Sequence, residues 1–154
     1  MQTRRLRLSA LAVDGLAALP WLAGALAPEW RLPDLEAALQ SGEGVSISDA
    51  EASSIGIAVV MLTGRTATVP FLAIEPARRF RGLGGEAVLA LERHLRARMR
   101  VETVYAPVPE ARGLAVYFWL RLGYRPLLQA EEPDQRPGLG DEALRGIWLA
   151  RDAD

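Results

Sequence analysis

The chain has 154 residues, of which 50% are hydrophobic and 24% are charged. A chain of this length and composition is expected to fold as one domain, residues 1–154, around a sizeable core. Its 18 basic and 19 acidic side chains nearly cancel, which argues against a nucleic acid or a membrane surface as partner. The absence of cysteine excludes disulfides and thiolate sites, and a single histidine removes most zinc sites, so no metal is expected.

All basic side chains are arginine, and the chain contains neither lysine nor asparagine. This excludes the Gly-rich phosphate loop that ends in Lys-Ser/Thr, and it excludes Schiff-base chemistry on lysine. Arg4, Arg5 and Arg7 precede an apolar run as in a secretory signal, but Asp14 and Pro20 interrupt that run. No stretch has the ~18 uninterrupted apolar residues that a membrane span needs. We therefore expect a cytoplasmic protein.

The first half of the chain is predicted to contain an edge strand, two helices and three further strands. Residues 3–8 alternate as in a short strand, and the Ala/Leu-rich stretch 9–26 is expected to form a helix that breaks or restarts at Pro20. A second short helix is expected to open at Pro33. Three β-rich runs follow with short connections, which indicate an antiparallel meander. These runs are residues 44–48, 55–62 and 66–74.

The second half begins with a long helix. From residue 83 to about Arg100 the apolar residues recur with a helical period, and Glu92 and Arg96 lie on a face expected to be solvated. The strand at 101–106 follows this crossover and is expected to run parallel to the strand before it. The remaining predicted elements are a helix at 110–122 and strands at 124–128 and 144–149. The order is β-α-α-β-β-β-α-β-α-β-β, a mixed α+β domain.

The segment that leads into the long helix is basic and rich in glycine. The first turn of a helix leaves its N–H groups unpaired and carries partial positive charge, and glycines let an anion approach the backbone. The pattern favours a site for a phosphate or pyrophosphate over a plain helix entry with solvated arginines. The residues concerned are Arg78, Arg79, Arg81, Gly82, Gly84 and Gly85.

Gly82, Gly84 and Ala87 also fit the Gly-x-Gly-x-x-Gly/Ala fingerprint of dinucleotide-binding folds. That fingerprint follows its strand at once, whereas residues 75–81 intervene here. The acidic residue about twenty positions further on, Glu102, would start a strand rather than end one. The fingerprint alone is weak evidence, and a nucleotide-binding α/β domain is the weakest of three functional hypotheses.

Two motifs stand out in the second half of the chain. The first is Arg79-x-x-Gly82-x-Gly84, after a strand that ends in Glu75-Pro76, and the second is the block 115–126, a helix followed by glycine and an aromatic residue. They resemble the two signatures of the GNAT superfamily of N-acetyltransferases, the first of which is the loop that binds the pyrophosphate of acyl-CoA. The order and spacing of the two motifs match the family over nearly the whole chain. The resemblance implies a GNAT-like, mostly antiparallel mixed sheet of about seven strands with four helices.

The resemblance also implies acetyl-CoA as co-substrate. Backbone amides at 80–85 would bind the pyrophosphate, and the preceding strand would pair with pantetheine. An amide near Ala73 or Ile74 would polarise the thioester carbonyl. The cofactor-binding residues implied in this way are Leu72, Ala73, Ile74, Arg79, Phe80, Arg81, Gly82, Leu83, Gly84, Gly85, Ala115 and Trp119.

The acceptor amine would attack the thioester directly and lose a proton to a base. Glu75 is the best candidate for that base, because it shares a strand face with Ala73, although an ion pair with a nearby arginine is an alternative role. Tyr105 is expected to end the neighbouring strand and either to line the acceptor cleft or to be a core or rim aromatic. Trp119 replaces the tyrosine that serves as general acid in many members, and Arg112 replaces a common asparagine. A thiol with a pKa near ~8.5 can still leave as thiolate.

The motifs do not encode the acceptor, so a small-molecule amine and a protein amino group are both open. Trp21 and Trp30 are candidates for the wall of an acceptor pocket or for the core, and the acidic loop 129–142 is a candidate for attracting a cationic amine or for a solvated loop. A non-catalytic acyl-CoA-binding domain is the second functional hypothesis, and a homodimer is possible. Gly84→Val is expected to abolish CoA binding with the fold largely intact, because the new side chain would occupy the phosphate site.

Overall fold

The computed structural model describes residues 2–26, 30–110, 112–128 and 146–153. The strands in this part of the chain are Arg7–Ala10 (β1), Glu43–Ser48 (β2), Ser54–Thr63 (β3), Thr66–Ile74 (β4), Thr103–Val108 (β5), Arg125–Pro126 (β6) and Ile147–Asp152 (β7). They form a seven-stranded sheet in the order β1-β2-β3-β4-β5-β7-β6. The pair β4–β5 is parallel and the other neighbouring pairs are antiparallel. The predicted α+β class and mixed, mostly antiparallel sheet are confirmed.

Helices cover both faces of this sheet. The described residues contain four α-helices, Leu22–Ala25 (α1), Leu32–Ser41 (α2), Leu83–Met99 (α3) and Gly113–Arg121 (α4), and 3-10 turns at Val13–Ala18 and Pro76–Arg78. Successive residues of a strand point to opposite faces, so β3 supplies Ile57 and Val59 to one apolar cluster and Ala58 and Val60 to another. The first cluster packs under α1 and α2, and the second packs under α3 and α4.

No helix in the described part of the chain is long and apolar enough to cross a membrane. The longest, α3, has 17 residues and carries charged side chains along its length. Most of its apolar residues face the sheet, as the helical period predicted, but Leu89 is exposed.

The helix predicted over residues 9–26 is wrong for most of its length. Arg7–Ala10 pairs with β2 as an edge strand, and Val13–Ala18 forms a 3-10 turn. The α-helical part is limited to α1, after Pro20, whose ring breaks a continuous helix. The strand predicted at 3–8 begins at Arg7, because the Thr3 N–H donates to the Leu6 carbonyl at 2.7 Å in a turn.

The solvated face predicted for the long helix is also wrong at Glu92, which is 5% exposed. Its carboxylate accepts a hydrogen bond from the Tyr124 hydroxyl at 2.6 Å and lies 3.2 Å from Nη1 of Arg151. Burial and the Glu92 charge raise the pKa of Tyr124, so this hydroxyl stays protonated and donates. Glu92 is thus buried because Tyr124 and β7 supply its partners.

The remaining boundaries shift by a few residues. Arg100 is left-handed (φ 55°) at the end of α3, and β5 begins at Thr103 rather than at 101. The helix predicted at 110–122 begins at Gly113, because the Arg112 N–H donates to the Pro109 carbonyl in a turn before it. The strand predicted at 124–128 is reduced to β6, and the first residues of the strand predicted at 144–149 lie outside the described residues.

Candidate functional site

The parallel strands β4 and β5 separate after a short paired stretch. The paired residues are Thr66–Thr103, Ala67–Val104 and Thr68–Tyr105. Beyond them β4 contains a bulge, in which Val69 and Pro70 face Val60 of β3. Proline has no N–H for a ladder and is tolerated at bulges, and a bulge bends its strand. The carboxyl-terminal half of β4 therefore turns away from β5 and leaves a gap between the two strands.

The strand residues that the motifs predicted lie in this gap. Leu72, Ala73 and Ile74 are the last residues of β4 and still pair with β3 on the other side. Leu72 and Ile74 pack toward α3 and α4, and Ala73 packs toward α1 and α2. Their edge toward β5 has no ladder partner in the described part of the chain. An extended ligand can therefore pair with this edge as an additional strand does.

The loop that follows β4 exposes a row of backbone amides. Phe80 (φ 62°) and Gly82 (φ 76°) are left-handed, a conformation that glycine adopts without strain. No side chain caps α3 at its start. Among the described residues, the amides of 80–85 have no hydrogen-bond acceptor, and Glu86 is the first to bond back, to the Gly82 carbonyl at 3.1 Å. These amides and the positive end of α3 are therefore open to an anion.

Gly84 and Gly85 allow close packing between helices. A Cβ at Gly84 would lie 3.3 Å from Cε2 of Phe118 and 3.6 Å from Cγ1 of Ile74. A Cβ at Gly85 would lie 3.2 Å from Cδ2 of Leu122. The two sequence motifs therefore meet here, since α4 packs on the glycines of α3. The reason given for Gly84→Val is corrected, because a side chain at this position meets Phe118 first.

The three loop arginines have different surroundings. Nε of Arg79 donates to the Ile74 carbonyl at 3.0 Å, which places its cation where β4 meets the loop. Arg78 lies between two carboxylates, with Nη2 3.5 Å from Asp49 and Nε 3.8 Å from Glu75. Arg81 is exposed, and its carbonyl accepts a hydrogen bond from Nη1 of Arg5.

Solved structures share this architecture. A GNAT family acetyltransferase from Elizabethkingia anophelis with acetyl-CoA bound is 15% identical, with a TM-score of 0.71 over 98% of this chain and 100% of that one. The ribosomal-protein-S18-alanine N-acetyltransferase from Escherichia coli is 19% identical, with a TM-score of 0.72 over 96% and 93%. A spermidine N-acetyltransferase variant from Vibrio cholerae is 15% identical, with a TM-score of 0.71 over 97% and 95%. This chain has the GNAT fold.

The likeness is one of structure. No protein-family model matches the chain, and no curated protein matches it. The GNAT fold predicted from the two motifs is nevertheless confirmed, because the matches extend over nearly the full length of both chains.

Glu75 follows directly after β4 in this GNAT fold, rather than ending the strand as predicted. Its N–H donates to the Ile55 carbonyl at 2.8 Å, which fixes the backbone at the mouth of the gap. Its carboxylate is 29% exposed and lies 3.8 Å from Nε of Arg78. Both roles that the sequence left open, base and ion-pair partner, are compatible with this position.

Tyr105 does not end its strand, contrary to the prediction. It is the third residue of β5, opposite Thr68, where the pairing with β4 stops. Its ring contacts Trp148 edge-on at 6.3 Å between centroids. Burial, together with the Asp152 charge, raises the pKa of Tyr105. The hydroxyl therefore stays protonated at neutral pH and is a donor rather than a base.

The second motif contributes mainly to packing. Trp119 is 5% exposed, and its ring centroid lies 5.3 Å from that of Phe118 and 4.7 Å from that of Tyr124. Trp119 could therefore contact a cofactor only through this small exposed part of its surface. Ala115 is half-buried against the same core. The sequence analysis did not single out Phe118. Its position three residues after Ala115 places the two on the same face of a helix, which was the available signal.

The candidate residues for the wall of an acceptor pocket, Trp21 and Trp30, lie on the face of the sheet that α1 and α2 cover. Trp30 is 5% exposed and packs edge-on against Phe71 at 5.0 Å, which is a core role. Trp21 is half-buried, and its Nε1 donates to the Ser54 carbonyl at 3.2 Å. The acidic loop at 129–142 lies outside the described residues. The described residues contain no group of three or more histidine or acidic side chains arranged to hold a metal.

An unpredicted carboxylate, Glu86, lies in the first turn of α3. It accepts hydrogen bonds from the Thr3 hydroxyl and, at 2.6 Å, from Nε of Arg5. Burial acts to raise the pKa of Glu86, but the hydrogen bonds from Thr3 and Arg5 and the charge of Arg5 together bring it below the ordinary value of 4.5. Glu86 is therefore ionised at neutral pH.

This lowered pKa predicts a pH-dependent contribution to stability. A carboxyl whose pKa is lowered by folding stabilises the native state above its unfolded pKa, and the contribution is lost as the pH falls through the folded pKa. We expect urea unfolding to show a lower free energy of unfolding for Glu86→Gln than for wild type at pH 7, and the difference to shrink by about pH 3. A difference of equal size at both pH values would contradict this account.

Proposed function

We propose that the protein is an acyl-CoA-dependent N-acyltransferase that transfers an acetyl group from acetyl-CoA to a primary amine. The observation that carries the proposal is the junction of two open backbone surfaces in a GNAT fold. The unpaired edge of β4 is followed, after the short turn at 75–79, by the amide row at the start of α3. Acyl-CoA has a matching shape, because an extended pantetheine with amide groups ends in a diphosphate.

The residues have separate tasks in this proposal. Main-chain groups of Leu72–Ile74 bind pantetheine, and the amides of 80–85, with Arg79 beside them, bind the diphosphate. An N–H near Ala73 or Ile74 donates to the thioester oxygen and stabilises the negative charge that develops there. The enzyme thereby contributes mainly position and polarisation.

The transfer is a direct attack. The amine nitrogen forms a bond to the acetyl carbonyl carbon, the C–S bond breaks, and CoA leaves as thiolate. The amine proton passes to Glu75, directly or through water. Trp119 has no hydroxyl to protonate the sulfur, but a thiol with a pKa of about 8.5 leaves without an acid.

The acceptor is a small-molecule amine or a protein amino group. Among the solved neighbours, a spermidine N-acetyltransferase is named for a small-molecule amine and a ribosomal-protein-S18-alanine N-acetyltransferase is named for a protein. A screen should therefore contain polyamines, amino acids and peptides with a free N-terminus.

Calorimetric titration with acetyl-CoA, with NAD as control, tests the proposal first. We expect micromolar binding of acetyl-CoA alone, followed by release of CoA thiol in the presence of an accepted amine. The chain has no cysteine, so a thiol-reactive dye reports released CoA without background from the protein. Failure to bind acetyl-CoA would overturn the proposal.

A non-catalytic acyl-CoA-binding domain is the second candidate. The buried Trp119, in place of a tyrosine hydroxyl, favours it. Binding of acetyl-CoA without turnover over the whole amine panel would support this alternative.

A further inference from the structure

The N-terminal segment is fastened to the start of α3. We call residues 2–6 the N-terminal clasp. Its turn is closed by the Thr3 hydroxyl, which accepts the Leu6 N–H at 2.9 Å, and by a bridge between Gln2 and Arg7. Leu6 is 2% exposed and anchors the clasp in the core under α3 and α4. The clasp therefore holds Arg5 at a fixed place beside the amide row.

The Arg5 guanidinium joins two parts of the phosphate loop. Its Nε and Nη2 lie 2.6 Å and 2.5 Å from Oε2 of Glu86, and its Nη1 donates to the Arg81 carbonyl at 3.2 Å. A Cβ at Gly82 would lie 3.8 Å from Nη2. These contacts use three of the five N–H donors of the guanidinium. Within the described part of the chain, two donors are left next to the left-handed Gly82.

Arg5 neutralises the negative charge of Glu86 next to the amide row. The Glu86 carboxylate lies in the first turn of α3, at the positive helix end that the loop would offer to a phosphate. Its negative charge would repel the negative charge of a phosphate bound there. Arg5 binds this carboxylate and cancels its charge. The bond to the Arg81 carbonyl also orients the peptide that precedes Gly82.

We propose that Arg5 is a positioning residue for the diphosphate of the acyl-CoA, because it neutralises Glu86 and fixes the backbone at Arg81 and Gly82. The proposal rests on the proposed function. It assigns part of the cofactor affinity to a residue far away in sequence from the loop. The side chain is 53% exposed, so a bound diphosphate can reach it.

The test compares two ligands that share the thioester but differ in the diphosphate. Arg5→Gln is expected to weaken the binding of acetyl-CoA about tenfold, because the Glu86 charge beside the diphosphate is then no longer neutralised. Its affinity for S-acetylpantetheine, which lacks the diphosphate, should be unchanged. In the Glu86→Gln background the loss caused by Arg5→Gln should be smaller, because no carboxylate then needs neutralising.

Arg65→Gln is the matched control. Arg65 forms an ion pair of the same 2.5 Å length with Glu102, at the opposite end of β4. We expect this control to bind acetyl-CoA as wild type does, and thermal unfolding checks that each variant is folded. If Arg5→Gln does not fold, Arg5→Lys keeps the charge without the fork and should give an intermediate loss.

The outcomes separate the two proposals. Equal affinity of Arg5→Gln and wild type for acetyl-CoA would overturn the role of Arg5 alone. Equal loss toward both ligands would also overturn it, because a general structural defect does not distinguish the diphosphate. No binding of acetyl-CoA by wild type would overturn the proposed function, and the role of Arg5 with it.

Discussion

Glu75→Gln is expected to lower the turnover number of acetyl transfer about 100-fold at neutral pH and to leave the affinity for acetyl-CoA unchanged. The amide side chain keeps the shape of the carboxylate but does not take a proton from the attacking amine. The backbone of residue 75 is fixed by its bond to Ile55, so the β4 edge that would bind pantetheine stays in place. Thiol release measures turnover, and calorimetry measures affinity.

Glu102→Gln is the control for this variant. Glu102 is also paired with an arginine, Arg65, but it lies before β5, at the opposite end of the sheet from the gap. Its turnover number should equal that of wild type. If Glu75→Gln also turned over at the wild-type rate, Glu75 would be only the ion-pair partner of Arg78. Another residue, or the solvent, would then take the amine proton.

Gly84→Val is expected to lower the free energy of unfolding by about 2 kcal/mol, as overpacking does, and to weaken acetyl-CoA at least about tenfold. A Cβ here would lie 3.3 Å from Phe118, and the two methyl groups of valine add further volume. The start of α3 must move away from α4 and from the end of β4. That movement displaces the amide row. Urea unfolding and calorimetry measure the two effects.

Gly113→Val places the same side chain in the first turn of α4. A Cβ at Gly113 has no heavy atom within 4 Å, so the free energy of unfolding should change by about 0.5 kcal/mol or less. Affinity of Gly84→Val for acetyl-CoA equal to that of wild type, despite a loss of stability, would show that the packing of α4 on α3 does not set the loop.

The fold was largely predictable because its signals are local. β-rich runs and short connections identified the meander, and the bounds predicted for its last strand, 66–74, are those of β4. The N-terminal prediction failed because the Ala/Leu-rich stretch has helical propensity throughout, whereas pairing with β2 takes Arg7–Ala10 into the sheet. Tertiary contacts override propensity in such cases.

The site was predictable as far as one stretch of sequence contains it. The open amides were expected from the glycines of the loop and the unpaired N–H groups of a first helical turn, whereas the left-handed backbone of Gly82 was found only in the structure. The partners from other parts of the chain did not follow, because nothing near Glu86 in sequence indicates that Arg5 binds it, and nothing near Gly84 indicates Phe118. Glu92 was misplaced for the same reason, since Tyr124 and Arg151 are distant in sequence.

The sheet separates two apolar clusters that share no side chain, one around Leu35 and the other around Leu91. A layer packed on a sheet lies about 10 Å from it, so layers on opposite faces are further apart still, and changes at such distances usually add. The layer formed by residues 13–26 and α2 can therefore be varied without disturbing the packing beneath α3. Under the proposed function, a combinatorial library confined to that layer would vary the acceptor side while the amide row at the start of α3 keeps its packing.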